Sequence, residues 1–406
     1  MITSATKQGN TSCRTRSGIQ SKKSWIPAFA GMTMVRYGIA RVMAERGAKR
    51  DVLKKIAVAV SGGVDSAVAA LLLKESGYEV VGVTMCLGVA PAEGGRAKCC
   101  GPREIEDAKQ VCRALGIRHY VVDFAEDLEE KVIRPFVGEY ERGRTPNPCV
   151  ACNRFIKFGS LLAKALAWGF DGIATGHYAG IAVEDGKYRL KRPKDLRKDQ
   201  TYFLHAMPRE ALARVLFPLA GYTKDEVRGI AERAGLPVHD KPESQDICFI
   251  PAEGHEAFLR SRAVRVEPGE IVDRDGKVLG RHRGIACYTI GQRGGLRISS
   301  PAPLYVLSID APRNRLVVGS KEELKSDALA AEQINRLVDS FPEEAWAKIR
   351  YAHRAARCRV SCDGDRLTLR FAEPQESVAP GQSVVLYDGA TVLGGGIIKE
   401  VYRGDC

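Results

Sequence analysis

Two kinds of chemistry can be read from residue types and their spacing. The first is anion binding at Ser61-Gly62-Gly63-Val64-Asp65-Ser66. Gly62 and Gly63 allow a tight bend and let a ligand approach the backbone without a Cβ in the way. The hydroxyls of Ser61 and Ser66, with the N–H groups of a helix starting there, make a cradle for phosphate oxygens. Asp65 in such a cradle suits a divalent cation that bridges it to phosphate. The second is thiol chemistry. Thr145-Pro146-Asn147-Pro148 is a stiff loop leading into Cys149-Val150-Ala151-Cys152, which opens a helix from Arg154. The dipole at a helix N-terminus favours thiolate over thiol. Half of a zinc site is the competing reading, with Cys99-Cys100 and the wide Cys358–Cys362 pair as the available second halves. Cys248 lies in a later loop of the same domain; alone it reads as readily as a core thiol as a reactive one.

These groups need rigid elements behind them. Ile56 to Val60 is an apolar strand, and Ala67 to Leu73 is a helix apolar on nearly every face. Such a pair belongs to a parallel sheet buried under helices, and the turn between them lies where α/β folds bind ligands. The turn lacks the Lys-Ser or Lys-Thr of a Walker loop and the three spaced glycines of a dinucleotide fingerprint. An ordinary strand–helix turn is the plainer reading. Further strands are expected at Glu79–Met85, His119–Phe124 and Asp171–Ala174, with helices over 103–115, 126–140 and 154–168. Alternation of this kind predicts a doubly wound parallel sheet. A hairpin follows at 181–190, turning at Asp185-Gly186, then the basic loop Lys191–Lys198. Thr223 and Glu226 form a capping box for a helix to about Ala234.

From about residue 260 short strands and glycine turns take over. Five more strands after residue 330 suggest a small antiparallel barrel, and the Gly394-Gly395-Gly396 run reads as a barrel bend. The expected organisation is an extension at 1–51, an α/β nucleotide-binding and catalytic domain at 52–250, a small mixed or β central domain at 251–328, and the barrel at 329–406.

Composition sets limits. The 406 residues suffice for two or three domains. No apolar run is long enough to span a bilayer, so no membrane partner is expected. The formal charge is +13, but residues 1–51 hold ten Lys/Arg against two acids, so +8 belongs to them and +5 to the rest. That remainder is compatible with RNA without arguing for it. The first segment reads as an extension outside the folded protein, with Met34 or Met43 as alternative starts. Its basic, acid-poor composition also fits a mitochondrial transit peptide. The twelve cysteines form no small secreted framework and read as reduced thiols of a cytoplasmic protein.

The Ser61–Ser66 loop resembles the pyrophosphate loop of adenylating ATPases, which split ATP to AMP and pyrophosphate. That loop, Thr145-Pro146-Asn147-Pro148, Cys152-Asn153, Thr175-Gly176-His177-Tyr178, Lys198-Asp199-Gln200, Cys248-Phe249-Ile250 and Pro380-Gly381-Gln382-Ser383 together resemble the tRNA-specific 2-thiouridylase family. They occur in that family's order and cover about residues 54–406. The resemblance implies that ATP, with magnesium, adenylates the carbonyl oxygen at ring position two of the wobble uridine of tRNA, and that a persulfide sulfur then displaces AMP. It implies that Cys248 carries the persulfide and Cys152 resolves it. Ala59, Val60, Ser61, Gly62, Gly63, Val64, Asp65, Ser66, Met85 and Gly176 would hold the nucleotide. Asn147, Pro148 and Cys149 would face the target base, and Lys198, Asp199, Gln200, Arg350 and Tyr351 would touch tRNA. His177 and Gln382 match family site positions; His177 also reads as a structural histidine, and Lys191–Lys198 as a solvated loop. A sulfur-donor protein, or a relay from a cysteine desulfurase, would load Cys248.

One departure opens an alternative. Some family members have Asp where this chain has Cys149, and the three thiols Cys149, Cys152 and Cys248 could instead ligate an iron–sulfur cluster with one open iron. Two other classes compete with thiolation. An adenylating ligase using ammonia would have no use for Cys152 and Cys248. A tRNA-binding module with a vestigial nucleotide site would bind tRNA without releasing pyrophosphate.

Overall fold

The structure, a computed structural model, describes residues 53–88, 101–243, 247–251, 253–262, 264 and 266–404. The readings made for residues 1–51 and for Cys99-Cys100 fall outside them.

Strands β1 (Lys55–Ala59), β2 (Glu79–Cys86), β3 (Arg118–Asp123), β4 (Gly172–Ala174) and β7 (Val215–Leu216) form a parallel sheet in the order β3-β2-β1-β4-β7. Its helices are α1 (Val64–Glu75), α2 (Pro102–Ala114), α3 (125–141), α4 (148–167) and α5 (Lys224–Arg233), and a short α6 (His255–Ser261) follows. Strand β1 shows why the sheet is covered twice. Ile56 and Val58 point into the apolar cluster shared with α1, α2 and α5, while Ala57 points into the opposite one with α3 and α4. The chain runs from β1 outward through β2 and β3, then returns to β4 on the other side of β1. The crevice beyond the carboxyl ends of β1 and β4 is therefore the switch point where such sheets take ligands.

Helix α4 begins six residues earlier than the sequence suggested. Pro148 occupies its first turn, where a missing N–H costs nothing, and the Asn147 side chain accepts from the Cys149 N–H at 3.1 Å. Both cysteines of the CxxC thus lie inside the helix rather than before it. Over Cys152–Leu161 the helix widens to π-type turns. Helix α5 opens on the expected capping box: Thr223 Oγ1 accepts from Glu226 N–H, and Thr223 N–H donates to Glu226 at 2.6 Å.

A small mixed sheet has the order β10-β11-β8-β9, from β8 (Gly269–Val272), β9 (Val278–His282), β10 (Tyr305–Asp310) and β11 (Arg315–Gly319). Last comes the barrel: β12 (Lys325–Arg336), β13 (Glu344–Lys348), β14 (Ala356–Asp363), β15 (Arg366–Glu376), β16 (Ser383–Asp388) and β17 (Thr391–Tyr402). These six strands pair antiparallel in the order β12-β15-β14-β13-β16-β17, and β17 pairs back to β12, so the barrel closes and hides its edges. Gly394–Gly396 lie in β17; all three pair with β16, and Gly394 and Gly395 pair with β12 as well.

The hairpin β5 (Gly180–Glu184) and β6 (Lys187–Lys191) belongs in sequence to the α/β part but adds its strands to the barrel, through Lys191 against Thr391. Leu337, Val385, Tyr387 and Val392 of the barrel enter the same apolar cluster as Tyr202, Leu204 and Met207. Tyr202 Oη donates to Ser383 O at 2.8 Å, and Asn335 Nδ2 donates to His205 O at 2.7 Å and Met207 O at 2.8 Å. The barrel and the α/β domain therefore share one core.

Candidate active site

The turn after β1 closes on itself. Ser66 Oγ accepts from Ser61 N–H at 3.1 Å, donates to Gly63 O at 3.0 Å and lies 3.3 Å from Ser61 Oγ. Gly62 has φ +72°, a conformation that residues with a Cβ rarely adopt. The first-turn N–H groups of α1 have no partner within the helix and face outward beside these hydroxyls. Above the turn is a cavity of about 310 Å³, lined by Ala59, Val60, Ser61, Asp65, Ser66 and Met85 from the residues expected to hold a nucleotide. Gly176 lines it too, packed so closely that a Cβ there would come within 2.6 Å of the Asp65 carbonyl carbon and 2.7 Å of Ser66 N. Gly62, Gly63 and Val64 form the turn behind the wall. Val83, Thr84, Lys157 and Thr175 also line the cavity, and the sequence had singled out none of them for it.

Asp65, read from the sequence as a candidate cation ligand, is paired with protein groups. Its carboxylate accepts from Lys224 Nζ at 2.7 and 2.9 Å and from Tyr178 Oη at 2.9 Å. The Lys224 side chain is 6% exposed and also pairs with Glu243 at 3.0 Å, which in turn pairs with Lys198 at 2.7 Å. Burial pushes the Glu243 carboxyl up, but hydrogen bonds from Lys198 and Lys224 outweigh it and hold it below the ordinary range. Burial, reinforced by the Asp65 charge, pushes the Tyr178 phenol far up, so it stays a donor.

His177 lines the cavity and is locked in place. Its Nδ1 lies 2.6 Å from Thr175 Oγ1 and its Nε2 3.4 Å from Lys157 Nζ. Burial first, and the Lys157 charge second, hold it well below the usual imidazole range, so the ring is neutral. Nε2 then accepts from the ammonium and Nδ1–H donates to Thr175.

The thiol loop is held from the barrel. Thr145 N–H donates to Pro380 O at 2.9 Å and Gln382 Nε2 donates to Thr145 O at 2.7 Å. Arg144 reaches Glu332 of β12 at 3.1 Å. Two motifs that are distant in sequence are thus one contact, and Gln382 acts on the site by clamping the loop. Gln382→Ala is expected to cost about 1 kcal/mol in that hydrogen bond and to speed alkylation of Cys149, which is exposed. An alkylation rate equal to that of the parent protein would show that the clamp positions nothing.

Cys152 and Cys248 both pack against the rim of one apolar cluster, and Ala59 and Met85 of the cavity wall border the same cluster. The ring of Phe249, next to Cys248, stands 5.3 Å edge-on from Phe136 of α3. Cys149, Cys152 and Cys248 do not make a group of three side chains placed to hold a metal ion, nor does any other His, Cys, Asp or Glu group among the described residues. Burial pushes the Cys112 thiol up to about 11 and Cys358 up to about 12, which fits core thiols rather than nucleophiles.

The residues expected to touch tRNA divide. Arg350 is exposed, and Tyr351 is 39% exposed with its ring 4.6 Å from Phe203 and Lys348 Nζ 5.6 Å over its face. Asn153, beside Cys152, donates to Phe203 O at 3.0 Å, which ties this aromatic platform to the thiol helix. Asp199 is only 4% exposed and accepts from Arg192 Nε at 2.7 Å and from Thr201 N–H at 2.9 Å, so its side chain faces inward and braces the loop. Gln200 lines the cavity and accepts from Tyr178 N–H at 2.9 Å. Within the basic loop Lys191, Arg192, Lys194, Arg197 and Lys198 are each paired with a carboxylate. That leaves little uncancelled charge there.

Comparison with known proteins adds three family matches in chain order. The tRNA methyl transferase HUP domain matches residues 54–252, the tRNA methyl transferase PRC-barrel domain 256–320, and the aminomethyltransferase beta-barrel domain 326–398. The tRNA-specific 2-thiouridylase MnmA 1 of Syntrophus aciditrophicus strain SB is 55% identical over 347 residues, which is 86% of this chain and 93% of that protein. The tRNA-specific 2-thiouridylase MnmA of Geotalea uraniireducens strain Rf4 is 49% identical over 363 residues, 87% of this chain and 96% of that one. Among solved structures, the U34-tRNA thiolase NcsA from Methanococcus maripaludis, with its 4Fe-4S cluster, aligns at 22% identity and a TM-score of 0.34 over 52% of this chain and 68% of that one, too slight a likeness to bear on the site.

Proposed function

The chain belongs to the tRNA-specific 2-thiouridylase family of tRNA sulfurtransferases, and from that premise we propose that it thiolates the wobble uridine of tRNA through a base adenylate and a cysteine persulfide. The observation that carries this reading is a phosphate cradle at the switch point whose wall borders the same apolar cluster as Cys152 and Cys248.

In the first half-reaction the uridine carbonyl oxygen at ring position two bonds to the α-phosphorus of ATP. The bond from that phosphorus to the bridging oxygen breaks, pyrophosphate leaves with the electron pair, and the ring nitrogen gives up its proton. The turn hydroxyls and the α1 N–H groups receive the phosphate charge. In the second half the terminal sulfur of the Cys248 persulfide attacks the activated ring carbon. The carbon–oxygen bond breaks and AMP leaves. Cys152 thiolate then attacks the Cys248 sulfur, releasing 2-thiouridine and leaving a Cys152–Cys248 disulfide for an external thiol to reduce. A persulfide-carrying protein reloads Cys248.

Magnesium in this reading arrives with the nucleotide, because Asp65 already has Lys224 as its counter-ion and a magnesium ion readily keeps phosphate and water ligands. Residues 52–250 carry the chemistry, while 251–328 and 329–406 help to grip tRNA, with Arg350 and Tyr351 on the RNA side and Asn147, Pro148 and Cys149 facing the base. No helix among the described residues is long and apolar enough to cross a membrane. The cytoplasm, where ATP and tRNA meet, is the proposed compartment.

The test is mass analysis of wobble uridines from tRNA incubated with the protein, ATP, magnesium and a persulfide donor. Sulfur in place of oxygen at that base is the expected result, and unmodified uridine under conditions that load Cys248 overturns it. Iron analysis of anaerobically purified protein separates the cluster alternative: full activity without iron supports the persulfide, and activity that tracks iron content overturns it.

A further inference from the structure

We propose that Lys157 is a catalytic residue of the adenylation step, its ammonium binding the nucleotide phosphates and stabilising the charge that builds on the departing pyrophosphate. The proposal rests on the ATP-dependent reading above. Lys157 lies on α4 five residues after Cys152, inside the π-type stretch Cys152–Leu161. From this helix Lys157 reaches the cavity above the Ser61–Ser66 turn.

The charges around the cavity single this lysine out. Among the described residues lining the cavity, Lys157 is the sole Lys or Arg and Asp65 the sole carboxylate. Asp65 is already neutralised by Lys224, so the lining presents one uncancelled positive charge to a phosphate. Nearby cations have been taken out of play: Lys198 and Lys224 by Glu243, Lys241 by Asp107. Lys157 has a different sort of partner, the neutral His177 ring at 3.4 Å, fixed in turn by Thr175. A neutral acceptor orients an ammonium without cancelling its charge, which is what a phosphate-binding cation needs. His177 is by this reasoning a positioning residue. As the bond between the α-phosphorus and the bridging oxygen breaks, the electron pair moves onto the pyrophosphate, and the ammonium faces the oxygens that gain it.

The experiment uses the full chain with tRNA, ATP and magnesium, and reads single-turnover pyrophosphate release separately from 2-thiouridine formation. Lys157→Gln, which keeps a donor for His177, is expected to slow release by about 10²–10³-fold. Its melting temperature and tRNA affinity should match the parent. Lys157→Arg, which restores the charge, is expected to recover at least about tenfold of the loss. Release within about twofold of the parent in Lys157→Gln overturns the proposal. So does normal release with lost thiolation, which would assign Lys157 to the thiols instead. A parent protein that releases no pyrophosphate would sink the adenylation reading. In that case direct binding of a fluorescent ATP analogue still judges Lys157, since unchanged binding in Lys157→Gln and Lys157→Arg would count against a phosphate contact.

Discussion

Cys248→Ala is expected to reduce 2-thiouridine formation by at least about 10³-fold, because in the proposed mechanism Cys248 carries the sulfur through the second half-reaction, while pyrophosphate release on mixing with tRNA and ATP continues near the parent rate. The asymmetry follows from the geometry. The cradle is made of Ser61, Ser66 and the start of α1, none of which depends on Cys248. Cys152→Ala should fail differently. With the resolving thiol gone, the base is held to Cys248 through a disulfide, and a covalent RNA–protein adduct accumulates that added reductant releases. Denaturing gels with and without reductant read this directly. If Cys248→Ala still thiolates, the persulfide is carried elsewhere; if neither variant changes turnover, the ammonia-ligase alternative regains its ground.

The turn, its strand and its helix were legible because three local signals agree there: an apolar run, glycines at the bend and an apolar helix. The barrel was legible from its turns, but its closure through β12 and β17 was not, since pairing between strands far apart in the chain leaves no local mark. The misjudged start of α4 has a local cause. Two prolines read as loop stiffeners, yet Pro148 can occupy a first helical turn. The side-chain direction of Asp199 had no local signal either. Only the packing of Arg192 and Thr201 around it shows that it faces inward. The clamp between Gln382 and Thr145 spans 237 residues, so sequence could present its halves only as unrelated motifs. Lys157 and Lys224 escaped notice for a like reason. The first reaches the cavity only through the fold, and the meaning of the second depends on two acids brought to it from elsewhere in the chain.

Lys224→Met is the second large effect, and it falls on stability. The methionine keeps the buried stem and removes only the ammonium. Asp65 is left with Tyr178 alone, and Glu243 with Lys198 alone. Stranding a fully buried charge costs about 3–5 kcal/mol. The Asp65 and Glu243 side chains are 32% and 24% exposed, so water screens part of this. A loss of about 2–3 kcal/mol is expected after that discount. Adding Asp65→Asn to Lys224→Met should return part of the stability, because it removes one of the stranded charges rather than a second partner. Acid supplies an independent check. The Glu243 carboxyl is held below its ordinary range in the folded protein by Lys198 and Lys224 against the opposing pull of burial. Its contribution is therefore fully present above the unfolded value of about 4.3 and is lost as pH falls through the lower folded value. The parent protein should lose stability steeply in that acid range and Lys224→Met less steeply, having lost part of what holds the carboxylate ionised. Thermal melts of the parent, the single and the double variant across pH 3 to 7 measure both effects. A Lys224→Met protein as stable as the parent at pH 7, with the same acid slope, would show that the charges at the nucleotide turn are carried by water rather than by this lysine.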